Sequence, residues 1–201
     1  LKNMTTKATD KSFEKLIALF FETGSLRKTV RSHRQTLLTD DLSDNIASHS
    51  FRVSIISWHL AKLEKADPYK VLLMSLLHDF SETRSGDQNW VHKKYIKVFE
   101  EEIRKDQFID KPFGGELTKV LNEYCERKTL EAHLVKDADL LDQILLLREY
   151  EWAGNKEASV WLKGKEQEKR LFSRSAKKLA IKIYIQKPSS WWSKIWTAER
   201  R

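Results

Sequence analysis

The sequence predicts an all-α protein folded as one helical bundle, and three observations carry that reading. Apolar residues recur at helical spacing along most of the chain, the alternation that marks strands does not appear, and the 201 residues include only three prolines and six glycines to interrupt helices. At 40% hydrophobic composition the chain is long enough to bury one sizeable core.

Residues 1–11 are polar and read as a flexible N-terminus. Phe13, Leu16, Ile17, Phe20 and Phe21 then form a stripe at i, i+3, i+4, i+7 and i+8, a first helix closed by Gly24. From Ser25 to Asp44 the period is lost and charge rises through Arg27, Lys28, Arg31, His33, Arg34, Asp40 and Asp41, which reads as a long ordered loop of the kind that often carries function. Helical spacing returns from Asn45 to about Glu64 through Val53, Ile56, Leu60 and Leu63, with His49 in the first turn. Asp67 as N-cap and Pro68 as first helical residue open the next helix. Because Val71 to Leu77 is apolar on every side, that helix is expected at the centre of the core.

After the turn composition Gly86-Asp87-Gln88-Asn89, a helix is expected from His92 to about Lys105 with Tyr95, Ile96, Phe99 and Ile103 inside, and Asp106 to Gly115 breaks it. Leu117, Val120, Leu121 and Tyr124 mark a short helix, and Leu130 to Ala153 a long one stopped before Gly154. Asp137, Asp139 and Asp142 lie along it, and three aspartates in six positions are not expected all to face a core. The last helix, Glu166 to Gln186, carries Leu171, Leu179 and Ile183 on one side and lysines on the other, and Pro188 ends it. The single domain thus runs over 12–187, followed by a tryptophan-rich tail over 188–201.

Composition narrows the functional classes. The lone Cys125 excludes an internal disulfide and a cysteine-rich zinc site, and no signal segment or long apolar span is visible, so a reducing, cytoplasmic address is expected with no membrane partner. Net charge is +8, concentrated in the stretch from Lys163 to Lys187. A lysine-rich outer face on a C-terminal helix is most often simply solvated, so nucleic acid is not the favoured partner. Trp191, Trp192 and Trp196 are expected to fold back on the body or to pack at a dimer contact. His59, His92 and His133 lack ligand partners and read as ordinary side chains.

Four polar residues sit at or inside otherwise apolar helices: His49, the adjacent His78 and Asp79, and Asp139. A histidine beside carboxylates at the end of an apolar helix needs a partner, and a metal ion suits that mixture. Two neutral imidazoles and two carboxylates make a near-neutral N/O site around a divalent ion, which fits Mn, Fe, Co or Zn better than Ca, with Mg also admissible. Such an ion lowers the pKa of a bound water and polarises a phosphoryl oxygen. Glu82, one helical turn beyond His78, is the best-placed general acid. Phosphate also calls for a planar guanidinium, and the loop before His49 offers Arg31 and Arg34.

These motifs resemble the HD-domain metal-dependent phosphohydrolases, and within them the 5'-deoxynucleotidase branch. The resemblance rests on His49-Ser50-Phe51-Arg52-Val53, on Leu76 through Asp87 with its His78-Asp79 pair, Glu82 and Gly86-Asp87, and on Val135 through Asp142. It covers nearly the whole chain from the first helix onward. It implies an HD-domain bundle with its metal site in the core, one ion held by His49, His78, Asp79 and Asp139, a catalytic role for Glu82 with Asp79, and substrate contact by Asp87. The choice of Asp139 over the neighbouring Asp137 follows the family pattern, in which the second aspartate of Asp-Ala-Asp is the ligand. The activity implied is removal of the 5'-phosphate from (deoxy)ribonucleoside 5'-monophosphates by a homodimer.

Two departures stand out: the loop Arg31-Ser32-His33-Arg34-Gln35 lacks the tryptophan that relatives often carry, and Ser48 replaces the usual acid before the first ligand. The alternatives are hydrolysis of an alarmone-like nucleotide, weakened by Thr83 where aspartate normally follows the glutamate, and a nucleic-acid-binding protein on an HD scaffold.

Overall fold

A computed structural model describes residues 10–195. The helices are α1 (Asp10–Gly24), α2 (His33–Leu37), α3 (Ile46–Glu64), α4 (Pro68–Leu77), α5 (Glu82–Ser85), α6 (Trp90–Tyr95), α7 (Glu100–Phe108), α8 (Gly114–Glu126), α9 (Leu130–Trp152), α10 (Lys156–Gly164), α11 (Glu166–Lys169) and α12 (Arg174–Ile185), with 3-10 turns at Ser25–Lys28 and Pro188–Trp191. The all-helical expectation holds among the described residues, where the one β-feature is an isolated bridge between Val30 and Asn45. Most of the tail's tryptophan cluster is seen, but Trp196 lies outside the described residues, as do residues 1–9 of the expected flexible N-terminus. Asp10 and Lys11 belong to α1, where Asp10 sits favourably against the positive end of the helix dipole.

The centre of the bundle is α9, which packs against α3, α4, α8, α10, α11 and α12. This corrects the expectation for α4, which leaves Leu73 and Leu76 exposed. Uniform apolarity does not by itself surround a helix. The helix that is surrounded instead carries acids that find partners inside: Asp137 and Asp142 are buried, and Asp139 is mostly so. Polar sequence thus disguised the central helix, and the expectation that three aspartates could not all face inward fails.

Caps set the other boundaries. Asn45 and Ser48 form a capping box at the start of α3. Asp67 accepts from the N–H groups of Tyr69 and Lys70 ahead of Pro68, and Thr129 caps α9. Helices α3 and α4 approach closely through small residues: the buried Ser75 donates to Ser57 Oγ at 2.6 Å, and Ser57 and Ser54 bond back to the preceding turn of α3. Gly114 is required at its position, because a Cβ there would lie 2.0 Å from the Phe108 carbonyl oxygen.

Elsewhere the chain departs from the sequence reading. The expected helix over 92–105 divides into α6 and α7, leaving Tyr95, Ile96 and Phe99 exposed. The Ile96–Phe99 stretch is rich in poor helix formers, and Glu100, Glu101 and Glu102 supply the acidic first turn of a new helix. The expected C-terminal helix also breaks, between α11 and α12, where Asp137 accepts the N–H groups of Phe172 and Ser173 at 2.7 and 2.8 Å and Ser173 then caps α12. On α1 the apolar stripe exists, but Phe13, Ile17, Phe20 and Phe21 face outward and Leu19 is the buried residue. The loop after Gly24 is ordered as expected but partly helical, holding a 3-10 turn and α2.

Candidate metal centre and cleft

The turn that ends α4 and the first turns of α3 bring two histidines together. His49 Nδ1 lies 2.7 Å from Asp142 Oδ2, and His78 Nδ1 lies 2.7 Å from the Ser75 carbonyl oxygen. Both Nδ1 positions therefore face acceptors and carry the proton, which leaves the lone pair of each ring on Nε2. The two Nε2 atoms point at each other across 3.2 Å. Two buried lone pairs in that position repel unless a cation stands between them, a metal ion or, without one, a proton on His49 Nε2 that Asp79 and His78 accept.

Carboxylates complete the surroundings. Asp79 Oδ2 is 3.4 Å from His49 Nε2 and 3.2 Å from His78 Nε2, and Asp139 Oδ1 is 3.5 Å from His49 Nε2. Among the described residues, His49, His78 and Asp79 bring ligand atoms within 4.8 Å of one another. Asp139 is outside that tight group, and its other oxygen accepts from Lys136 at 2.6 Å. Burial pushes the His49 pKa down, as does Arg31, but hydrogen bonds to Asp142 and Asp79 outweigh both and raise it to about 9. Burial acts to raise Asp79 and Asp139, yet the His78 ring beside the first and the Lys136 ammonium beside the second hold both well below the carboxylate range. Donor set and charge fit a divalent ion.

Beside this centre, lined on that side by Asp79 and Asp139, opens a polar cleft of about 140 Å³. Arg31, His33, Asp79, Glu82, Asp87 and Asp139 face it, with Trp90, Lys93 and Arg170 at the rim. Five buried polar atoms there have no hydrogen-bond partner: Arg31 Nε and Nη1, His33 Nδ1, Glu82 Oε2 and Gln88 Oε1. Such atoms are costly unless a ligand meets them. Arg31 is 6% exposed; its Nη2 meets His33 Nε2 at 3.2 Å, and Asp87 stands 3.9 Å from its Nε. Burial opposes the guanidinium charge, but Asp87, Asp139 and Asp79 hold it. Arg34, by contrast, turns to Asp40 at 3.6 Å and does not line the cleft.

Glu82 opens α5, which is fixed from outside by Glu22: Thr83, Arg84 and Gln107 all donate to it. Thr83 therefore has a structural partner on α1. Burial, then Asp79 and Asp87, push Glu82 up to about 11, so its carboxyl keeps its proton. Asp87 accepts from the Ser32 N–H and hydroxyl at 2.6 and 2.8 Å and thereby fixes the loop that carries Arg31.

Sequence reading had not assigned Asp142 or His33. The signal for Asp142 was present as the third acid of α9, one turn after Asp139, but pairing with His49 appears only in three dimensions. Asp142 orients His49 and is itself held by Arg52, while Ser48 completes the capping box of α3. Asp137 is turned away to cap the break before α12. His59, His92 and His133 have local partners in Ile55 O, the α6 cap and the Phe172 ring.

Fold and centre together define an all-helical domain with a histidine–aspartate cluster able to take a divalent cation. A model of the HD domain matches residues 23–180, and the chain belongs to that family. It is 32% identical over 124 residues to a 5'-deoxynucleotidase of Dictyostelium discoideum, a match covering 55% of this chain and 65%, just under two thirds, of that protein. A 5'-deoxynucleotidase of Photobacterium profundum is 27% identical over 62% of this chain and 71% of its own. A conserved hypothetical protein from Pyrococcus furiosus superposes with a TM-score of 0.72 at 29% identity, covering 85% of this chain and 99% of that one. Among the described residues no helix is long and apolar enough to cross a membrane.

Proposed function

We propose that the protein is a metal-dependent phosphomonoesterase that removes the 5'-phosphate from (deoxy)ribonucleoside 5'-monophosphates. The observation that carries the reading is the set of unpartnered buried atoms of Arg31 and Glu82 in a cleft that Asp79 and Asp139 line, beside the two facing histidine Nε2 atoms. His49, His78, Asp79 and Asp139 would hold one divalent transition metal, Co, Mn, Fe or Zn, with Mg admissible. When bound, the ion activates water and polarises the phosphoryl group.

The remaining work falls to the chain. Arg31 receives phosphate oxygens on its unpartnered Nε and Nη1. Asp142 keeps the His49 proton on Nδ1, so that Nε2 faces the centre. Glu82, protonated in its buried position, delivers a proton to the departing 5' oxygen, and Asp87 takes a sugar hydroxyl. The relatives named 5'-deoxynucleotidases support the substrate class. The working unit is a homodimer in the cytoplasm; exposed Tyr69, Leu73 and Leu76, one turn apart on α4, support an interface, and the free Cys125 supports the compartment.

The test is phosphate release by metal-stripped protein resupplied with Co, Mn, Zn or Mg and a panel of 5' mono-, di- and triphosphates. Release from deoxynucleoside monophosphates in preference to the others is expected. No release from any monophosphate under any metal sinks the reading. Light scattering with size exclusion checks the dimer.

A further inference from the structure

We propose that Trp90, backed by Arg170, is the platform on which the nucleotide base stacks at the mouth of the cleft. This rests on the nucleotide reading above and adds where the base goes. The cleft, at about 140 Å³, falls below the roughly 300 Å³ at which pockets enclose whole drug-sized molecules. It has room for the phosphate end of a nucleotide, so the base is left at the rim.

Trp90 is the aromatic group offered there. It is 59% exposed, an expensive placement for a tryptophan that does no core packing. Tyr124, the neighbouring aromatic of the lining, is buried, with Arg127 over its ring at 3.8 Å. Trp90 is nonetheless firmly placed. Asn89, 1% exposed, caps α6 by accepting from Val91 and His92 and donates to Ser32 O and Gln35 Oε1. The indole is therefore tied to the loop that presents Arg31.

Arg170 comes from the opposite end of the sequence and stands 5.8 Å from the indole centroid. Its position follows from the break after α11, which Asp137 holds by its bonds to Phe172 and Ser173. Lys93, one turn along α6 from Trp90, adds a second cation at the rim. A fixed indole with Arg170 over its ring and Lys93 on the same cleft suits a flat base attached to an anion. Because every base has a π-face, the platform strengthens binding without selecting strongly among bases.

Calorimetric binding to the metal-free protein tests this with deoxyadenosine 5'-monophosphate and the baseless deoxyribose 5-phosphate. The wild type is expected to bind the nucleotide roughly tenfold more tightly than the sugar phosphate. Trp90→Ala should abolish that preference while leaving sugar-phosphate binding within twofold, Trp90→Phe should keep most of it, and Arg170→Ala should reduce it. Equal weakening of both ligands in Trp90→Ala, an unchanged preference in that variant, or no preference in the wild type overturns the platform. Hydrolysis of the two compounds with added metal, run in parallel, separates the claims. Base-dependent binding without turnover supports the platform and removes the proposed activity; turnover with no base-dependent binding does the reverse.

Discussion

Two hollows border the candidate metal centre, one lined by His49 and the other by Asp79 and Asp139, and they differ in the opposite sense from what size alone would indicate. The one behind His49 is the larger, about 560 Å³, walled by Phe51, Ile55, Leu146 and Tyr150 and edged by Asp41, Asp44, Arg52, Asp142 and Glu149. Its polar groups are matched: Arg52 pairs with Asp142 and Glu149, and the Tyr150 hydroxyl donates to Asp41. None of the buried side-chain atoms lacking a partner belongs to its lining. The front cleft is a quarter of that size and holds five such atoms. A folded chain spends its polar groups on itself wherever it can, so groups left unmatched mark where a ligand completes the structure. On that criterion the rear hollow is scaffolding for His49, and the front cleft is where the proposed chemistry belongs.

The comparison breaks most sharply at Glu82. Glu82→Gln, which keeps shape but removes the transferable proton, should lower kcat by about 10²–10⁴ with KM and metal content unchanged. A loss confined to KM would show that Glu82 only binds. Arg31→Ala should reduce kcat/KM by about a hundredfold, since it withdraws a buried charge from the phosphate, whereas Arg34→Ala, outside the cleft, should stay within about twofold. Equal effects would erase the distinction drawn between the two arginines.

From the rear side, Asp142→Asn should weaken metal affinity by about 10–100-fold, read by chelator competition, because His49 loses the acceptor that fixes its tautomer. Asp44 gives the smallest effect. Burial, opposed by Arg31, raises its carboxyl to about 6. The folded state then holds a proton that the unfolded state has released, so stability falls as pH rises from about 4 to 6. Asp44→Asn should remove that loss, worth about 1 kcal/mol after allowance for partial exposure or roughly 2–4 °C in Tm at pH 7.5, and should change nothing at pH 4. A gain at both values would mean that the charge is not the cause.

Much of this layout could be read from residues alone where the signal was local. Asp67 placed the start of α4 because it satisfies helix N–H groups within three residues of itself, and apolar spacing placed α3 and α9, whose caps prove to be Asn45 and Thr129. The residues at the centre were found as polar intrusions into apolar runs. Non-local pairing hid the rest. Asp137, Asp139 and Asp142 are chemically identical on paper, and only the groups opposite them, two backbone N–H groups, a metal centre and the His49 ring, give them different tasks. The split of α6 from α7 escaped periodicity because Tyr95, Ile96 and Phe99 keep helical spacing while lying exposed.

The serine contact between α3 and α4 sets a dimension that neither histidine controls. Ser57 and Ser75 meet at 2.6 Å, and one turn further along α4, past Ser75, stands His78. A longer side chain at either serine must push the two helices apart, and the opening between the imidazoles widens with them. The core of this chain therefore carries a spacer for the two imidazoles that lies apart from the cleft. Exchanging one small hydroxyl residue alters the distance between the rings while leaving both histidines in place.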